Sequence, residues 1–518
     1  MPKKYDFLTK TKIQSGLQCP KKLWFDIHQP IKHKDKVAFR IGNLFGDHVK
    51  KNYSKDNTKV LDLTGDYINE VKKTEQAIKS GNINVIFEGA FEYLNTLVRT
   101  DVLIRKKNGW ELLEAKASTK LKPEHIPDIA IQSFIVRKCM KQFGHDLINI
   151  KLIHVNGGFI LKKEGDYKDL INDENDITEE INEEKIPNYI KDLMPLTNKN
   201  SPNPSIEMGD QCNKPYVCDY QDRCKSLLPK PDITPFTILP FIGKDERYGL
   251  IEFMKSKGTI DLQKVPSKFF KDRKDYAPGY HKIIQDAHKK NELWFSSDLK
   301  QICNKFTYPL YFMDFETVGQ VVPTIIGTTP YYPLPFQWSV HKWESKDKEI
   351  DKKGKYFLKF NNQDIERQFI ESLLKALGEK GTIFAHNAKG VEIKILEKLK
   401  EKDSCRDLSL KIDNLINRIE DSAIIAKHNF YSPLMNGDWG IKSIIKSLPE
   451  SKISYEKEGN IAGGSEAGLS WFICTDPKTP NKEKDRQKEL LIDYCSKDTL
   501  AIYYLVKYLM ENSKIKNS

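Results

Sequence analysis

The clearest interruption of the hydrophobic pattern lies in the run LYFMDFETV, Leu310 to Val318, where two acids stand within an apolar, aromatic-rich stretch. This composition predicts a β-strand, and a strand turns alternate side chains to the same face. We therefore expect Asp314 and Glu316 to share a face with Phe312 and Val318. Two carboxylates brought together in an apolar setting repel each other and lose hydration. The chain needs a reason to accept that cost.

A second alternating pattern, NTLVRTDVLIRKKNGWELLEAKAST, predicts a β-hairpin that turns at Asn108-Gly109, because both central residues of a type I′ turn need a positive φ. Counting outward from this turn places Asp101 opposite Lys116 and Glu114 on the diagonal. The three side chains then converge on one patch of sheet. Two carboxylates can hold a hard divalent cation and a lysine can stabilise developing charge, as phosphodiester cleavage requires. The alternative is a surface hairpin with a cross-strand ion pair.

The predicted strands and helices indicate an α/β protein, and the length and a Pro-rich segment indicate more than one domain. A chain of 518 residues should form two or three domains, and 39% hydrophobic residues support real cores. The Pro-rich segment 229–240 indicates a boundary. We expect one domain over residues 1–229, a mainly helical linker over 230–305 and a second domain over 306–518.

The charge and the number of cysteines bear on which partner and which cell compartment we expect for this protein. A formal net charge of +12 and a pI near 8.9 favour a nucleic-acid partner, although a compositional bias of the genome would produce the same totals. The sequence contains no run of 18 or more apolar residues, so we expect no membrane span. The first residues lack the apolar core of a signal peptide. We expect a cytoplasmic protein, in which nine cysteines need a role other than disulfides.

A predicted helix around residues 124–143 follows the hairpin and carries Gln132. In chain order, Asp101, Glu114-Ala115-Lys116 and Gln132 resemble the RecB-like branch of the PD-(D/E)xK nucleases. The resemblance implies a restriction-endonuclease-like mixed sheet with helices, Asp101 and Glu114 as ligands of Mg²⁺ or Mn²⁺, and Lys116 and Gln132 as catalytic residues. Val136 stands where the family usually has tyrosine.

The same resemblance extends to residues before the hairpin. The family tends to have an upstream helical histidine as a metal ligand, and His48 is the candidate here. Glu88, just before the hairpin, is expected to join the site.

Four cysteines are candidates for a metal site. Cys212, Cys218 and Cys224 are each separated by five residues in a Pro-containing stretch, and Cys19 is the natural fourth ligand. A subset of RecB-like nucleases resembles this layout, with one cysteine before the nuclease core and three after it, which implies a [4Fe–4S] cluster. Zinc is the chemical rival, and free buried thiols are the simpler alternative. The other five cysteines are expected to be packing residues.

Two further segments can join the acids of LYFMDFETV. In TIFAHNAKGVEIKILEKLK a short apolar strand ends at His386-Asn387, and Glu392 sits early in the helix that follows, near the end of the strand. In ELLIDYCSKDTLAIYYLVKYLM, Tyr494 and Asp498 share one helix face, which Ile502 and Leu505 continue. An acid within such an apolar stripe needs a partner.

Together, Asp314, Glu316, Glu392 and Asp498 resemble the four acids of the DEDD-type, DnaQ-like 3′–5′ exonucleases. The resemblance implies a ribonuclease H-like mixed sheet with helices, two catalytic Mg²⁺ or Mn²⁺ ions that neutralise the repulsion of the acids, and Tyr494 orienting the nucleophilic water. Glu392 stands where the family usually has aspartate.

Two other residues enter this site through the same resemblance. Asp421 is the alternative to Glu392, or an accessory residue, and Lys442 is a candidate phosphate contact.

The two resemblances imply a fusion of the kind found in bacterial predicted nucleases. The expected function is a metal-dependent nuclease that hydrolyses single-stranded or end-bearing DNA at two active sites. The alternative is a single-site 3′–5′ exonuclease, acting on DNA or RNA, whose N-terminal domain only guides the nucleic acid.

Overall fold

The computed structural model describes residues 7–31, 37–54, 58–65, 67–227, 233–241, 244–360, 363–451, 453–455, 461 and 463–513. Within these ranges the chain is a mixed α/β protein with mixed sheets, which confirms the expected fold class at this level. In the same ranges, no helix is long and apolar enough to cross a membrane.

The chain forms two compact units. Unit 1 comprises Met1–Lys230 and Gln320–Tyr332, and unit 2 comprises Pro231–Gly319 and Pro333–Ser518. The division between Lys230 and Pro231 lies within the Pro-rich segment 229–240. The region 230–305, expected as a separate linker, instead belongs to unit 2 from Pro231 onward.

Unit 1 is built around a mixed sheet of seven strands. In chain order its elements are β1 (Leu8–Thr9), α1 (Lys10–Gln18), α2 (Pro20–His28), α3 (Val37–Tyr53), β2 (Val60–Asp62), α4 (Tyr67–Ser80), β3 (Val85–Tyr93), β4 (Thr96–Lys106), β5 (Gly109–Lys116), α5 (His125–Gln142), β6 (Leu147–Val155), β7 (Ile171–Asp176), α6 (Ile186–Leu193) and α7 (Gln221–Ser226). The strand order is β2-β3-β4-β5-β6-β7, and β1 pairs with β4. Neighbours β2–β3 and β5–β6 are parallel, and the β4–β5 hairpin is antiparallel.

The two faces of this sheet pack against different helices. Leu103 and Leu112 belong to a core that includes Ile129 of α5, whereas Val102 and Leu113 belong to a core with residues of α3. Strand alternation explains this division, because neighbouring residues of one strand face opposite sides.

The predicted register of the β4–β5 hairpin is wrong. Gly109 pairs with Lys106 and Leu112 pairs with Leu103, so that the turn lies at Lys107-Asn108 rather than at Asn108-Gly109. Gly109 has φ 154°, and a Cβ at this position would lie 2.5 Å from the carbonyl oxygen of Asp146. The glycine is therefore required by close packing of the backbone rather than by the turn. The slip of two residues leaves Asp101, Glu114 and Lys116 on their predicted face.

Unit 2 is built around a mixed sheet of five strands. Its elements are α8 (Lys244–Ser256), α9 (Tyr280–Lys290), β8 (Trp294–Phe295), α10 (Leu299–Cys303), β9 (Leu310–Gly319), β10 (Pro333–Trp343), β11 (Lys355–Leu358), α11 (Ile365–Leu377), β12 (Ile383–Ala385), α12 (Glu392–Glu401), α13 (Ser409–Ile416), β13 (Ile419–Asp421), α14 (Ser422–Asn429), β14 (Phe430–Tyr431), α15 (Ile441–Ile445), α16 (Gly464–Thr475) and α17 (Asn481–Asn512). The order is β11-β10-β9-β12-β13, with β9 antiparallel to β10 and parallel to β12. Strands β8 and β14 form a separate antiparallel pair.

Helix α17 packs its apolar stripe into the core of unit 2. Ile502 and Leu505 lie in one buried cluster with Phe312 of β9 and Phe384 of β12. This arrangement confirms the predicted helical stripe, and it brings the face of α17 that carries Asp498 to the central strand. The helix starts at Asn481, eight residues before the predicted start at Glu489.

Candidate functional sites

The acids of LYFMDFETV lie on β9, the central strand of unit 2. The predicted strand is confirmed, and Asp314 and Glu316 project to the same side of it. Asp498 of α17 joins them, since one carboxylate oxygen from each of the three residues lies within 4.8 Å of the other two. Glu316 and Asp498 are buried. Three acidic groups at this spacing could hold a metal ion.

Glu392 is the fourth acid of this cluster. It is the first residue of α12, in the early part of the helix where it was predicted to lie, and its side chain is buried. The backbone groups of Glu392 itself and of Phe315 counteract the rise in the pKa of this carboxyl, but its Oε2 has no hydrogen-bond partner. A buried acceptor oxygen without a donor carries a desolvation cost that a bound cation would remove.

Burial and mutual repulsion act on the protonation of all four acids. Burial, with the charges of Asp498, Glu316 and Glu392, raises the pKa of Asp314 well above its usual range. Burial and the charges of Asp498 and Glu392 raise the pKa of Glu316 to about 8. Burial raises the pKa of Glu392 to about 8, and the pKa of Asp498 also rises through burial. The charged forms of these four acids are therefore disfavoured unless a positive charge is supplied to the cluster.

Two tyrosines and one lysine border the acids. The Tyr455 hydroxyl donates to Asp498 Oδ1 at 2.6 Å, and Lys442 Nζ donates to the Tyr494 hydroxyl at 3.5 Å. Lys442 Nζ lies 4.8 Å from the ring centre of Tyr455 and 5.1 Å from that of Tyr494. Lys442 also counteracts the rise in the pKa of Asp498. Tyr455 gave no signal in the sequence because its neighbours follow no periodic pattern.

Asp421 anchors the segment that leads to Glu392. Its carboxylate caps α14 by accepting from the N–H of Ala423 at 3.0 Å, and it also accepts from the N–H of Asn387 at 3.0 Å. Asn387 has φ 66°, so this backbone takes a conformation that few residues adopt readily. The described contacts of Asp421 are thus those of a residue that positions the start of α12.

Glu114 is held by two lysines in unit 1. Lys10 Nζ donates to Glu114 Oε1 at 2.8 Å and Lys116 Nζ to the same oxygen at 2.9 Å. Lys116 also donates to Asp128, whose other oxygen lies 3.6 Å from Lys10 Nζ. Burial opposes ionisation of Glu114, but the two ammonium groups outweigh it and lower the pKa of Glu114 to about 2. No local pattern in the sequence marks Lys10, which lies 104 residues away from Glu114.

Asp101 lies beside Glu114, with its Oδ2 accepting from the N–H of Ala115 at 2.6 Å. Burial and the charge of Glu114 raise the pKa of Asp101 to about 7. Both acids line a cavity of about 560 Å³, together with Glu88 and residues of α3 that include Lys50. Glu114 Oε2 has no hydrogen-bond partner. The structure therefore brings Asp101, Glu114 and Lys116 together beside an open cavity.

Glu88 also lies in this cavity, with an unusual backbone conformation. Its φ is 56° within β3, which is rare for a residue other than glycine. The ladder between β3 and β4 keeps one register on both sides of it, with Phe87 opposite Val102 and Gly89 opposite Thr100. Glu88 lies 3.3 Å from Lys50 Nζ, in the cavity that Asp101 lines.

The described contacts of His48 and Gln132 involve Tyr167 and Arg99. The ring of His48 packs edge-on against Tyr167 at 5.3 Å, and burial lowers its pKa. His48 is not among the residues that line the cavity of Asp101 and Glu114, and its role as a metal ligand stays a prediction. Gln132 is buried, and its Nε2 donates to the carbonyl of Arg99 at 2.6 Å.

Four cysteines of unit 1 line one small cavity, although they come from distant parts of the chain: Cys19, Cys212, Cys218 and Cys224. None of the nine cysteines forms a disulfide. Burial raises the pKa of Cys218, and the neighbouring Cys19 and Cys212 add to that rise. The four thiols thus fit a group that binds thiolates and supplies positive charge. The remaining five cysteines are buried singly.

The fold and sites define a mixed α/β protein with two groups of acids. Unit 2 holds a buried cluster of carboxylates, and in unit 1 two lysines bridge Glu114 and Asp128. A family model described as Domain of unknown function (DUF2779) matches residues 311–440, about a quarter of the chain. The matched range includes Asp314, Glu316 and Glu392, and it ends before Asp498. No curated protein matches the chain.

Proposed function

We propose that this protein is a metal-dependent nuclease that hydrolyses phosphodiester bonds, with DNA as its main substrate and two active sites. The observation that carries the proposal is the cluster of four acids in unit 2. Asp314, Glu316, Glu392 and Asp498 converge from one strand and two helices, and burial leaves them short of positive charge.

The residues of this cluster fit divalent cations such as Mg²⁺ or Mn²⁺. Carboxylate oxygens are the ligands that these ions prefer, and Glu392 Oε2 is a buried acceptor without a donor. Bound ions would supply two effects, since they polarise the scissile phosphate and lower the pKa of the attacking water. The five-stranded mixed sheet, with two acids on its central strand, supports a ribonuclease H-like fold for unit 2.

The protein's own groups have distinct roles in this proposal. The four carboxylates hold the cations, and the Tyr494 hydroxyl orients the attacking water. Lys442, close to the rings of Tyr455 and Tyr494, places a positive charge beside Glu316 and Asp498 and contacts a substrate phosphate. Cys495 helps to hold the Asp314 carboxylate in its orientation, because its thiol donates to Asp314 Oδ2 at 3.4 Å.

The site of unit 1 supports a second, RecB-like activity. Asp101 and Glu114 would hold a cation at the 560 Å³ cavity, and Lys116 would stabilise developing charge. Lys10 and Lys116 already neutralise Glu114, however, so this site has less electrostatic need for a metal than the cluster of unit 2. That difference is the observation behind a second candidate function, in which unit 1 only binds and guides nucleic acid to a single exonuclease site.

The four-cysteine cavity supports an iron–sulfur cluster with a structural role. Four thiolates suit either a tetrahedral zinc ion or a [4Fe–4S] cluster. The order of the cysteines along the chain, with Cys19 before the core of unit 1 and the other three after it, supports the cluster. We also propose a cytoplasmic location, since nine unpaired cysteines suit a reducing compartment.

The proposal is tested with 5′-end-labelled single- and double-stranded DNA and RNA, incubated with the whole protein and Mg²⁺ or Mn²⁺. We expect DNA to be shortened progressively from its 3′ end, and a chelator to stop the reaction. A protein that leaves every substrate intact, or cleaves equally well in excess chelator, would contradict the proposal. Cleavage of RNA but not of DNA would agree with the proposed metal site and would contradict the proposed preference for DNA.

A further inference from the structure

The N-terminus of helix α16 lies beside one of the acids of unit 2. The helix packs against β9, and a Cβ added to its first residue, Gly464, would lie 3.7 Å from Glu316 Oε2. The helix is also joined to α17, because the Ser470 hydroxyl donates to Gln487 Oε1 at 2.7 Å. The start of α16 is therefore held at the edge of the acid cluster.

The first N–H groups of α16 have no acceptor among the described residues. The first hydrogen bonds of the helix run from the N–H groups of Glu466 and Ala467 to the carbonyl of Gly463, at 2.9 and 3.1 Å. No side chain caps the helix. In the described part of the chain, the N–H groups of Gly464 and Ser465 are therefore free to donate, and both residues are exposed.

Glu316 faces this helix start without a hydrogen-bond partner of its own. The residue is only 6% exposed, and none of the described residues donates a hydrogen bond to its carboxylate. A buried acceptor without a donor indicates that a ligand completes the site. The helix start and the carboxylate need ligands of opposite charge, and an anion bound next to a cation supplies both.

Two glycines keep the space next to the free N–H groups open. A Cβ at Gly463 would have no described atom within 4 Å, and a Cβ at Gly464 would meet Glu316 Oε2. Backbone N–H groups at an open helix start can approach the oxygens of a phosphate closely, and the helix macrodipole favours negative charge there. A phosphate next to a cation held by Glu316 therefore fits the chemistry of both groups.

We propose that the first turn of α16 binds the phosphate of the 3′-terminal nucleotide, with the N–H groups of Gly464 and Ser465 donating to its non-bridging oxygens. The inference rests on the proposed function of unit 2 and deepens it, because it adds a main-chain phosphate contact to the side-chain contact of Lys442. The N–H groups contact neither the base nor the sugar. A nucleoside 5′-monophosphate, which carries this phosphate, should therefore bind by itself.

The test compares Gly464→Pro with Gly464→Ala. Both substitutions add a Cβ, but only proline removes the N–H. Proline is favoured at the first position of a helix, and Gly463 before it is extended, with φ −171° and ψ 167°, as proline requires. Binding of deoxythymidine 5′-monophosphate (dTMP) to the whole protein is measured by isothermal titration calorimetry in Mg²⁺. Gly464→Pro should bind dTMP at least about tenfold more weakly than Gly464→Ala, because a hydrogen bond to a charged acceptor is lost.

A second pair of variants tests the same site without proline. Aspartate in the first turn stabilises a helix, but its charge should repel the phosphate. Ser465→Asp should therefore bind dTMP at least about tenfold more weakly than Ser465→Asn, in which the charge is absent. This pair decides the question if Gly464→Pro does not fold, as judged by circular dichroism and the thermal transition of the protein.

The matched control is Asn481→Pro, which removes the first N–H of α17, about 25 Å along that helix from Asp498. This variant should bind dTMP as the unsubstituted protein does. The Mn²⁺ affinities of Gly464→Pro and Gly464→Ala should lie within about twofold of each other, because the carboxylates hold the cations. Equal dTMP affinities within the folded pairs, a parallel loss of Mn²⁺ in Gly464→Pro, or no binding of dTMP to the unsubstituted protein would overturn the inference.

The outcome can be separated from that of the proposed function. Binding of a mononucleotide is measured without catalysis, so the expected difference between the Gly464 variants in a protein that cleaves nothing would reject the nuclease and keep the phosphate site. Cleavage of DNA by a protein whose two Gly464 variants bind dTMP equally would keep the nuclease and reject the phosphate site.

Discussion

Glu316→Gln should make the metal-free protein more stable at pH 8, although it removes a proposed metal ligand. Burial and the charges of Asp498 and Glu392 raise the pKa of Glu316 from 4.5 to about 8. The folded protein thus holds this proton more tightly than the unfolded chain does. Stability contributed by the protonated form is complete below pH 4.5 and is lost as the pH rises to about 8.

The size of the effect follows from the same values. A rise from 4.5 to about 8, at about 1.4 kcal/mol per pKa unit, corresponds to at most about 5 kcal/mol of destabilisation above pH 8. The glutamine amide removes the charge but must still find hydrogen-bond partners, which costs part of the gain. We expect a net stabilisation of about 1–3 kcal/mol at pH 8, and a difference close to zero at pH 4.5.

The assay is scanning calorimetry of the whole protein in chelator at both pH values, with the transition of each unit followed separately. Mg²⁺ should then stabilise the unsubstituted protein more than Glu316→Gln, because the ions relieve the repulsion only where the charge remains. Glu292→Gln, which changes an exposed glutamate of unit 2, is the control and should have no effect. A Glu316→Gln protein that is less stable than the unsubstituted one at pH 8 in chelator would refute the reasoning.

Three further predictions concern the other groups of the two units. Tyr455→Phe removes the 2.6 Å hydrogen bond to Asp498, so the Mn²⁺ concentration for half-maximal activity should fall at least about threefold, and an unchanged concentration would contradict this. When Asp498→Ala has disabled the site of unit 2, cleavage by unit 1 should remain, and adding Lys116→Ala should abolish it. An Asp498→Ala protein that cleaves no substrate would instead favour the role of unit 1 as a guide for nucleic acid. Anaerobically purified protein should be brown, and Cys218→Ser should bleach it and lower the thermal transition of unit 1 only, whereas colourless protein with stoichiometric zinc would reject the iron–sulfur cluster.

Local periodicity was sufficient to predict the elements that carry the acids of unit 2. The strand β9, a helix with Glu392 in its early part and the buried stripe of α17 each follow from patterns within about 10 to 20 residues. The faces of Asp314, Glu316 and Asp498 followed from those patterns. Their convergence was expected only through the resemblance to the DEDD exonucleases, because periodicity does not specify which elements pack together.

The features that no local sequence pattern predicts depend on contacts between distant residues. Gly109 looked like a turn glycine, but the carbonyl of Asp146 leaves no room for a side chain there. Lys10 reaches Glu114 through the packing of α1, and no local pattern marks it. The region after Pro231 has linker-like composition, yet its apolar residues, such as Leu250 and Ile284, lie in the core of unit 2.

The central claim is that the four acids of unit 2 hold the cations with which the protein trims nucleic acid, and Asp314→Asn tests it most directly. Mn²⁺ binding by electron paramagnetic resonance and 3′-end trimming of labelled single-stranded DNA are measured on the same samples, beside Asp403→Asn, which changes an acid whose side chain is 90% exposed. The account predicts that Asp314→Asn loses bound Mn²⁺ and at least about a hundredfold in trimming rate, while Asp403→Asn keeps both. Trimming by Asp314→Asn at the rate of the unsubstituted protein, with its Mn²⁺ still bound, would contradict it.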